Sequence, residues 1–216
     1  METKNIGLNT LGVAVLAVLL IEWGARVVLP YIPAAPMMIL GVARIFESTA
    51  LLSIAALFAA NGTSAVGIIR GRLMQGVKRG CLWSLGFGMV VAIGYGIFFL
   101  FGINLHAFSK IAMPPVRHQA VLLFLVGALI SPIAEELFFR GFIYGFFRRW
   151  GFIAALVTST VLFVLAHTLS TGGIPLPQIV GGLLFSIAYE KEKNLLVPIV
   201  IHMSGNLALF SIALFL

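Results

Sequence analysis

The chain has 216 residues, of which 61% are hydrophobic and 10% charged, with a formal net charge of +7. A water-soluble domain carries roughly 25% charged residues, so a fold in water would expose far too much apolar surface. The composition excludes a soluble enzyme, a disordered chain and a secreted disulfide scaffold, and it specifies an all-α, polytopic transmembrane helical bundle. The acids are all glutamates: Glu2, Glu22, Glu47, Glu135, Glu136, Glu190 and Glu192. Cys81 is the single cysteine, which excludes an intramolecular disulfide and a C-x-x-C pair; it reads as a small apolar core residue.

A helix needs about 20 apolar residues to cross the hydrocarbon core. In chain order the apolar runs predict seven spans, at residues 8–29, 36–60, 81–103, 119–147, 151–169, 176–189 and 195–216. The first run follows Lys4 but is too long for a signal peptide, contains Glu22 and Arg26 and lacks a cleavage site, so a retained span is expected. Residues 61–80 read as a loop or a short interfacial helix on the cytoplasmic surface. The fourth span is long, and Pro132 near its middle predicts a kink; the sixth is short. We divide this one integrated membrane domain into an N-terminal part, 1–118, with the basic cytoplasmic loop, and a C-terminal helical core, 119–216.

With seven spans, Lys4, Arg70, Arg72, Lys78, Arg79, Arg148, Arg149, Lys191 and Lys193 share one side, against Lys110 and Arg117 on the other. The positive-inside rule then puts the N-terminus in the cytoplasm and the C-terminus outside. The basic residues set topology and attract anionic lipid, so the bilayer, not nucleic acid, is the expected partner. Glu190, Lys191, Glu192 and Lys193 read as a plain charged cytoplasmic turn. His106 and His118 read as solvated loop residues.

Ionisable groups inside apolar spans are costly unless paired, and each is a functional candidate. Glu22/Arg26 and Arg44/Glu47 stand at i,i+4 and i,i+3, which predicts two locally neutralised pairs that lock the first two spans together. A second set lies further on. Glu136 and Arg140 stand at i,i+4 and can pair, while Glu135 projects about 100° away and keeps its carboxylate for another partner. Phe163 and His167 share a face of the fifth span, and His202 and Asn206 share a face of the seventh. At 1.5 Å per residue, Glu135 lies about 18–20 Å, His167 about 24 Å, Asn206 about 16 Å and His202 about 10 Å from the cytoplasmic ends of their spans. Tilt, or a recess of the segment after His167 into the membrane, has to absorb that spread.

A carboxylate, two imidazoles and a carboxamide suit hydrolysis of a peptide bond. Glu135 in an apolar site is a general base, and with His167 it can deprotonate a water. His202 and Asn206 can donate to the developing oxyanion. Phe163 reads as helix packing. No cofactor is required, although Glu135, His167 and His202 form a set that can also bind zinc. An aspartyl site is excluded by the lack of Asp, an H-E-x-x-H zinc site is absent, and His202-Met203-Ser204-Gly205 is a poor match to a serine-protease G-x-S-G.

The three motifs E-E-x-x-x-R (Glu135, Glu136, Arg140), F-x-x-x-H (Phe163, His167) and H-x-x-x-N (His202, Asn206), in this order, resemble the CPBP family. These are the CAAX prenyl endopeptidases and their bacterial relatives, also labelled Abi or bacteriocin-processing proteins. The resemblance covers 119–216 and implies a glutamate-type intramembrane endopeptidase. Residues matching Glu135 and His167 activate water, those matching His202 and Asn206 form the oxyanion hole, and Glu136 and Arg140 support them. It further implies a membrane-associated, prenylated or tagged precursor as substrate and, by the short loops, a bacterial cytoplasmic membrane. Two other classes stay open on the residues alone: an immunity or scaffold protein that binds a partner in the membrane, and a proton-coupled transporter, against which stands the lack of a repeated half.

Overall fold

The computed structural model describes residues 6–32, 36–102, 113–171 and 176–215. Lys4, His106, Lys110 and most of the turn after His167 lie outside them. The described residues form seven helices: α1 (Leu8–Val28, with a 3-10 turn to Tyr31), α2 (Pro36–Phe58), α3 (Leu73–Leu100), α4 (Arg117–Trp150), α5 (Phe152–Thr171), α6 (Leu176–Glu192) and α7 (Leu196–Phe215). All but α6 are long and apolar enough to cross a membrane. α6 has 17 residues, about 25 Å of helix against a hydrocarbon core of about 30 Å.

The bundle is apolar on its outside. Leu16, Leu19 and Trp23 of α1 and Leu82, Leu85, Met89 and Ile93 of α3 are exposed, which suits contact with acyl chains. Inside, Leu51, Ile54, Val66, Leu137, Phe142, Tyr189 and Leu195 pack as one cluster, and Phe139, Ile143, Phe163, Phe185, Val197 and Ile201 as a second. Small residues let helices approach closely. A Cβ on Gly80 of α3 would stand 2.6 Å from Val200 Cβ of α7, so that crossing requires glycine.

One end of the bundle collects Ile6, just before α1, and three turns. Arg149 donates to the Ile6 carbonyl. Glu190 accepts from Tyr144 and Arg148 at the end of α4, and Arg72 before α3 donates to the Glu192 carbonyl at 3.5 Å. α6 therefore runs back to the end where α3 begins and α4 finishes, short as it is. The turns that the sequence reading placed on one side do sit together.

Several expectations are corrected. Residues 61–80 do not lie on the surface as a loop. Gly62–Val66 and Arg70–Arg72 form 3-10 turns, Ala65 and Val66 are fully buried, and α3 begins at Leu73. Gly67, at φ 82°, lets the chain pass under Tyr189, whose ring would meet a Cβ at 2.7 Å. Lys78 and Arg79 thus ride on α3. Cys81 is exposed on that helix rather than in the core, because the Gly76/Gly80 face is the one turned inward. Glu22 pairs with Arg44 across α1 and α2, not locally with Arg26, and Arg44 also holds Glu47. A cross-helix bridge satisfies one guanidinium with two carboxylates, which same-helix spacing does not reveal.

Candidate active site

The centre of α4 is not a uniform α-helix. Phe124–Ile130 and Leu137–Tyr144 are π-helical, and the α-helical Ser131–Glu136 lies between them. Pro132 has no N–H, and the widened turn before it, in which Ser131 N–H reaches back to Val126 O, accommodates the ring within a continuous helix. Such widened turns recur at functional positions. This one presents Glu135 and Glu136 to α5 and α7.

The two neighbouring glutamates have different surroundings. Glu136 is fully buried, and its Oε1 accepts from Arg140 Nη1 at 3.0 Å and faces His202 Nδ1 at 2.8 Å. Arg140, also fully buried, donates from Nη2 to Gly182 O at 3.2 Å. Its guanidinium lies 4.5 Å from the Phe163 ring centre and 5.1 Å from that of Phe185. Glu135 turns the other way. Its Oε2 is buried without a hydrogen-bond partner among the described residues. It stands 3.6 Å from His167 Nε2 and 3.8 Å from His202 Nε2.

Both imidazoles are oriented through their second nitrogen. His167 Nδ1 is 2.9 Å from Phe163 O; a carbonyl only accepts, so Nδ1 carries a proton and Nε2 is the nitrogen turned toward Glu135. The His202 ring stacks on Phe185 at 4.6 Å and 20°. Its Nδ1 faces Glu136 Oε1, an oxygen that also accepts from Arg140, so it too donates there. Its Nε2 becomes a donor only in the imidazolium. Asn206, one turn along α7, donates Nδ2–H to Gly127 O at 2.9 Å and retains a second amide N–H. Phe163 is 1% exposed and packs beneath His167 and against Phe139.

The helix ends explain how groups at unequal predicted depths meet. Glu135 and His167 each stand fifteen residues from Trp150 and Phe152, which flank the Gly151 turn. His202 is closer to its helix start because α7 begins recessed. Asn194 and Leu195 are buried there, Asn194 Nδ2 donates to Arg72 O at 2.8 Å, and Leu195 N donates to Gly67 O. Sequence reasoning missed Phe185, Gly182 and Gly127. Two of these act through backbone carbonyls, which carry no residue-type signal. Phe185 looks like any apolar residue of α6. Among the described residues no three His, Cys, Asp or Glu side chains gather closely enough to hold a metal ion, so this donor geometry is looser than a formed zinc site.

Helices that span and a polar centre buried between them make this a multi-pass integral membrane protein with an intramembrane site. The family "Type II CAAX prenyl endopeptidase Rce1-like" matches residues 117–208, the stretch that carries Glu135, His167, His202 and Asn206. The chain is 26% identical over 131 residues to the putative membrane peptidase YdiL of Bacillus subtilis, covering 58% of this chain and 53% of that one. It is 37% identical over 98 residues to the membrane-embedded CAAX protease MroQ of Staphylococcus aureus, covering 42% and 38%. It is 30% identical over 137 residues to an uncharacterized 24.3 kDa protein of Escherichia coli, covering 59% and 61%. The chain thus spans about two fifths to three fifths of the length of these relatives. No solved structure matches.

Proposed function

We propose that this protein is an intramembrane endopeptidase that hydrolyses a peptide bond of a membrane-associated precursor with a glutamate–histidine pair. The observation that carries the reading is the buried Glu135 Oε2, unpartnered and flanked by two imidazole Nε2 atoms at 3.6 and 3.8 Å. Those gaps are too long for direct hydrogen bonds and suit a bridging water. In the reaction the water oxygen bonds the scissile carbonyl carbon while its proton passes to the Glu135–His167 pair. The carbonyl electron pair moves onto oxygen, where His202 and the second N–H of Asn206 stabilise it. The oxyanion collapses, the C–N bond breaks and the proton goes to the departing amine. Glu136 and Arg140 hold His202 in orientation, and Phe163 holds His167. A relative named as a CAAX protease favours a prenylated or otherwise C-terminally tagged precursor.

The same reading takes 119–216 as the catalytic core and 1–118 as its support. The end that carries Arg72, Arg79, Arg148 and Lys191 faces the cytoplasm of a bacterial cell and the C-terminus faces outward. The test compares protein termini in membranes of cells with and without this protein. New termini should appear with the wild type and vanish with Glu135→Gln or His167→Ala. Termini that persist in Glu135→Gln overturn the mechanism, and a phenotype retained by that variant without any new termini points to a binding protein. Cleavage by purified protein should survive a chelator. Loss that is restored by zinc supports the metal-dependent version with Glu135, His167 and His202 as ligands.

A further inference from the structure

A groove of about 430 Å³ runs between α3 and α6, lined by Arg79, Leu82, Trp83, Phe87, Val90, Leu184 and Glu192 with Gly86. None of these belongs to the Glu135 site. Along α3, Arg79, Trp83, Phe87 and Val90 recur at helical spacing and form one stripe. Its polarity changes in order, from a cation through an indole to an aromatic and an aliphatic side chain. Arg79 is 54% exposed and only 3.9 Å from Glu192, a loose pair. Trp83 Nε1 donates to Glu192 Oε1 at 3.0 Å, and Lys191 Nζ lies 5.8 Å from the Trp83 ring centre. Arg72 donates to the Glu192 carbonyl, and Lys78 is exposed beside Arg79. Arg72, Arg79 and Lys191 therefore gather around Glu192 and Trp83 at this mouth. A Cβ on Gly86 would meet nothing within 4 Å, so the floor is open.

We propose that this groove binds an anionic phospholipid, with its phosphate at Arg79 and one acyl chain along Trp83, Phe87 and Val90 against Leu184. The excess of positive charge at the mouth selects the head group, and basic pockets between transmembrane helices are known to do so. Trp83 sits where the polar and apolar parts of such a lipid join, the level that indoles favour. The ligand is a lipid of the surrounding bilayer, so the site operates whether or not the chain is a protease.

Trp83 itself reports occupancy. With Trp23→Phe and Trp150→Phe, both exposed positions, Trp83 is the single indole. The protein is reconstituted in phosphatidylcholine vesicles doped, at equal mole fraction, with chain-brominated phosphatidylglycerol or chain-brominated phosphatidylcholine. Brominated phosphatidylglycerol should quench Trp83 more strongly. Arg79→Gln should cut that preference about fivefold, the worth of one basic residue near a membrane surface. Arg79→Lys should retain it, and Gly86→Leu should weaken quenching by both lipids. Equal quenching in the parent protein, a preference that survives Arg79→Gln, or Arg79→Lys behaving like Arg79→Gln overturns the proposal. Recovery of Trp83 emission on adding a synthetic palmitoylated peptide also overturns it, because the groove then holds a lipidated peptide instead.

Discussion

Two regions of the bundle bury arginine–glutamate clusters, and they resolve their charges differently. Between α1 and α2, Arg44 is shared by Glu22 and Glu47, and the three side chains close on one another. In α4, Arg140 pairs with Glu136, which also orients His202, while Glu135 Oε2 stands beyond hydrogen-bond distance from two imidazole Nε2 atoms. The first arrangement ties two helices together. The second uses one carboxylate to fix the surroundings of the other. Adjacent glutamates on a helix differ by about 100° in direction, and that difference gives the two carboxylates different partners.

The contrast is broken most sharply at the two α4 glutamates. Glu135→Gln should lower peptide-bond cleavage by about 10²–10⁴, the usual worth of a general base, while thermal unfolding in detergent shifts by no more than about 0.5 kcal/mol. An equal loss of stability would make Glu135 a structural residue. Arg140→Met should do the reverse and lower unfolding free energy by about 3–5 kcal/mol, because Glu136 is left buried without its guanidinium partner. The double variant Glu136→Gln/Arg140→Met should recover part of that. If Arg140→Met alone melts like the wild type, the pair does not hold the site together.

Much of this was legible beforehand, for physical reasons. Apolar run length fixes how many helices form, and the three motif spacings put Glu135, His167 and His202 on inward faces. Other features were not legible. Residues 73–80 read as loop or short interfacial helix because Lys78 and Arg79 lower their hydropathy, yet they begin a spanning helix on which Gly76 and Gly80 form a packing face on α7 and Asn194. The π-helical turns depend on which carbonyl each N–H chooses, and residue type does not encode that. The Arg44 bridge depends on how α1 and α2 align, whereas i,i+3 and i,i+4 spacing only tests pairs within a helix. The terminal turn 190–193 looked inert, yet its glutamates tie α6 to α3 and α4.

At the α1–α2 cluster, Arg44→Leu should cost about 1–3 kcal/mol, since it strands Glu47, which is 1% exposed. Arg26→Gln should stay within about 0.5 kcal/mol, because among the described residues no ion pair of Arg26 is found. Comparing the two melts separates the cross-helix bridge from the same-helix pair. Equal shifts would restore Glu22–Arg26 as the operative pair.

The smallest effect belongs to the turn at the helix ends and is read best against pH. Burial pushes the Glu190 carboxyl up, but hydrogen bonds from Arg148, Lys193 and Tyr144 outweigh it and hold the group at about 2, below its ordinary 4.5. A carboxyl depressed in the folded state stabilises the fold fully above its unfolded value and loses that contribution as pH falls toward the folded one. Glu190→Gln should therefore melt below the wild type by a constant margin at neutral pH, and the margin should shrink between pH 4.5 and about 2. Tyr144→Phe removes one of the donors, whose hydroxyl lies 2.6 Å from Glu190 Oε2, and should cost about 1 kcal/mol. A margin that is unchanged on acidification would mean that Glu190 acts by packing alone, and the tie between α4 and α6 would not be ionic.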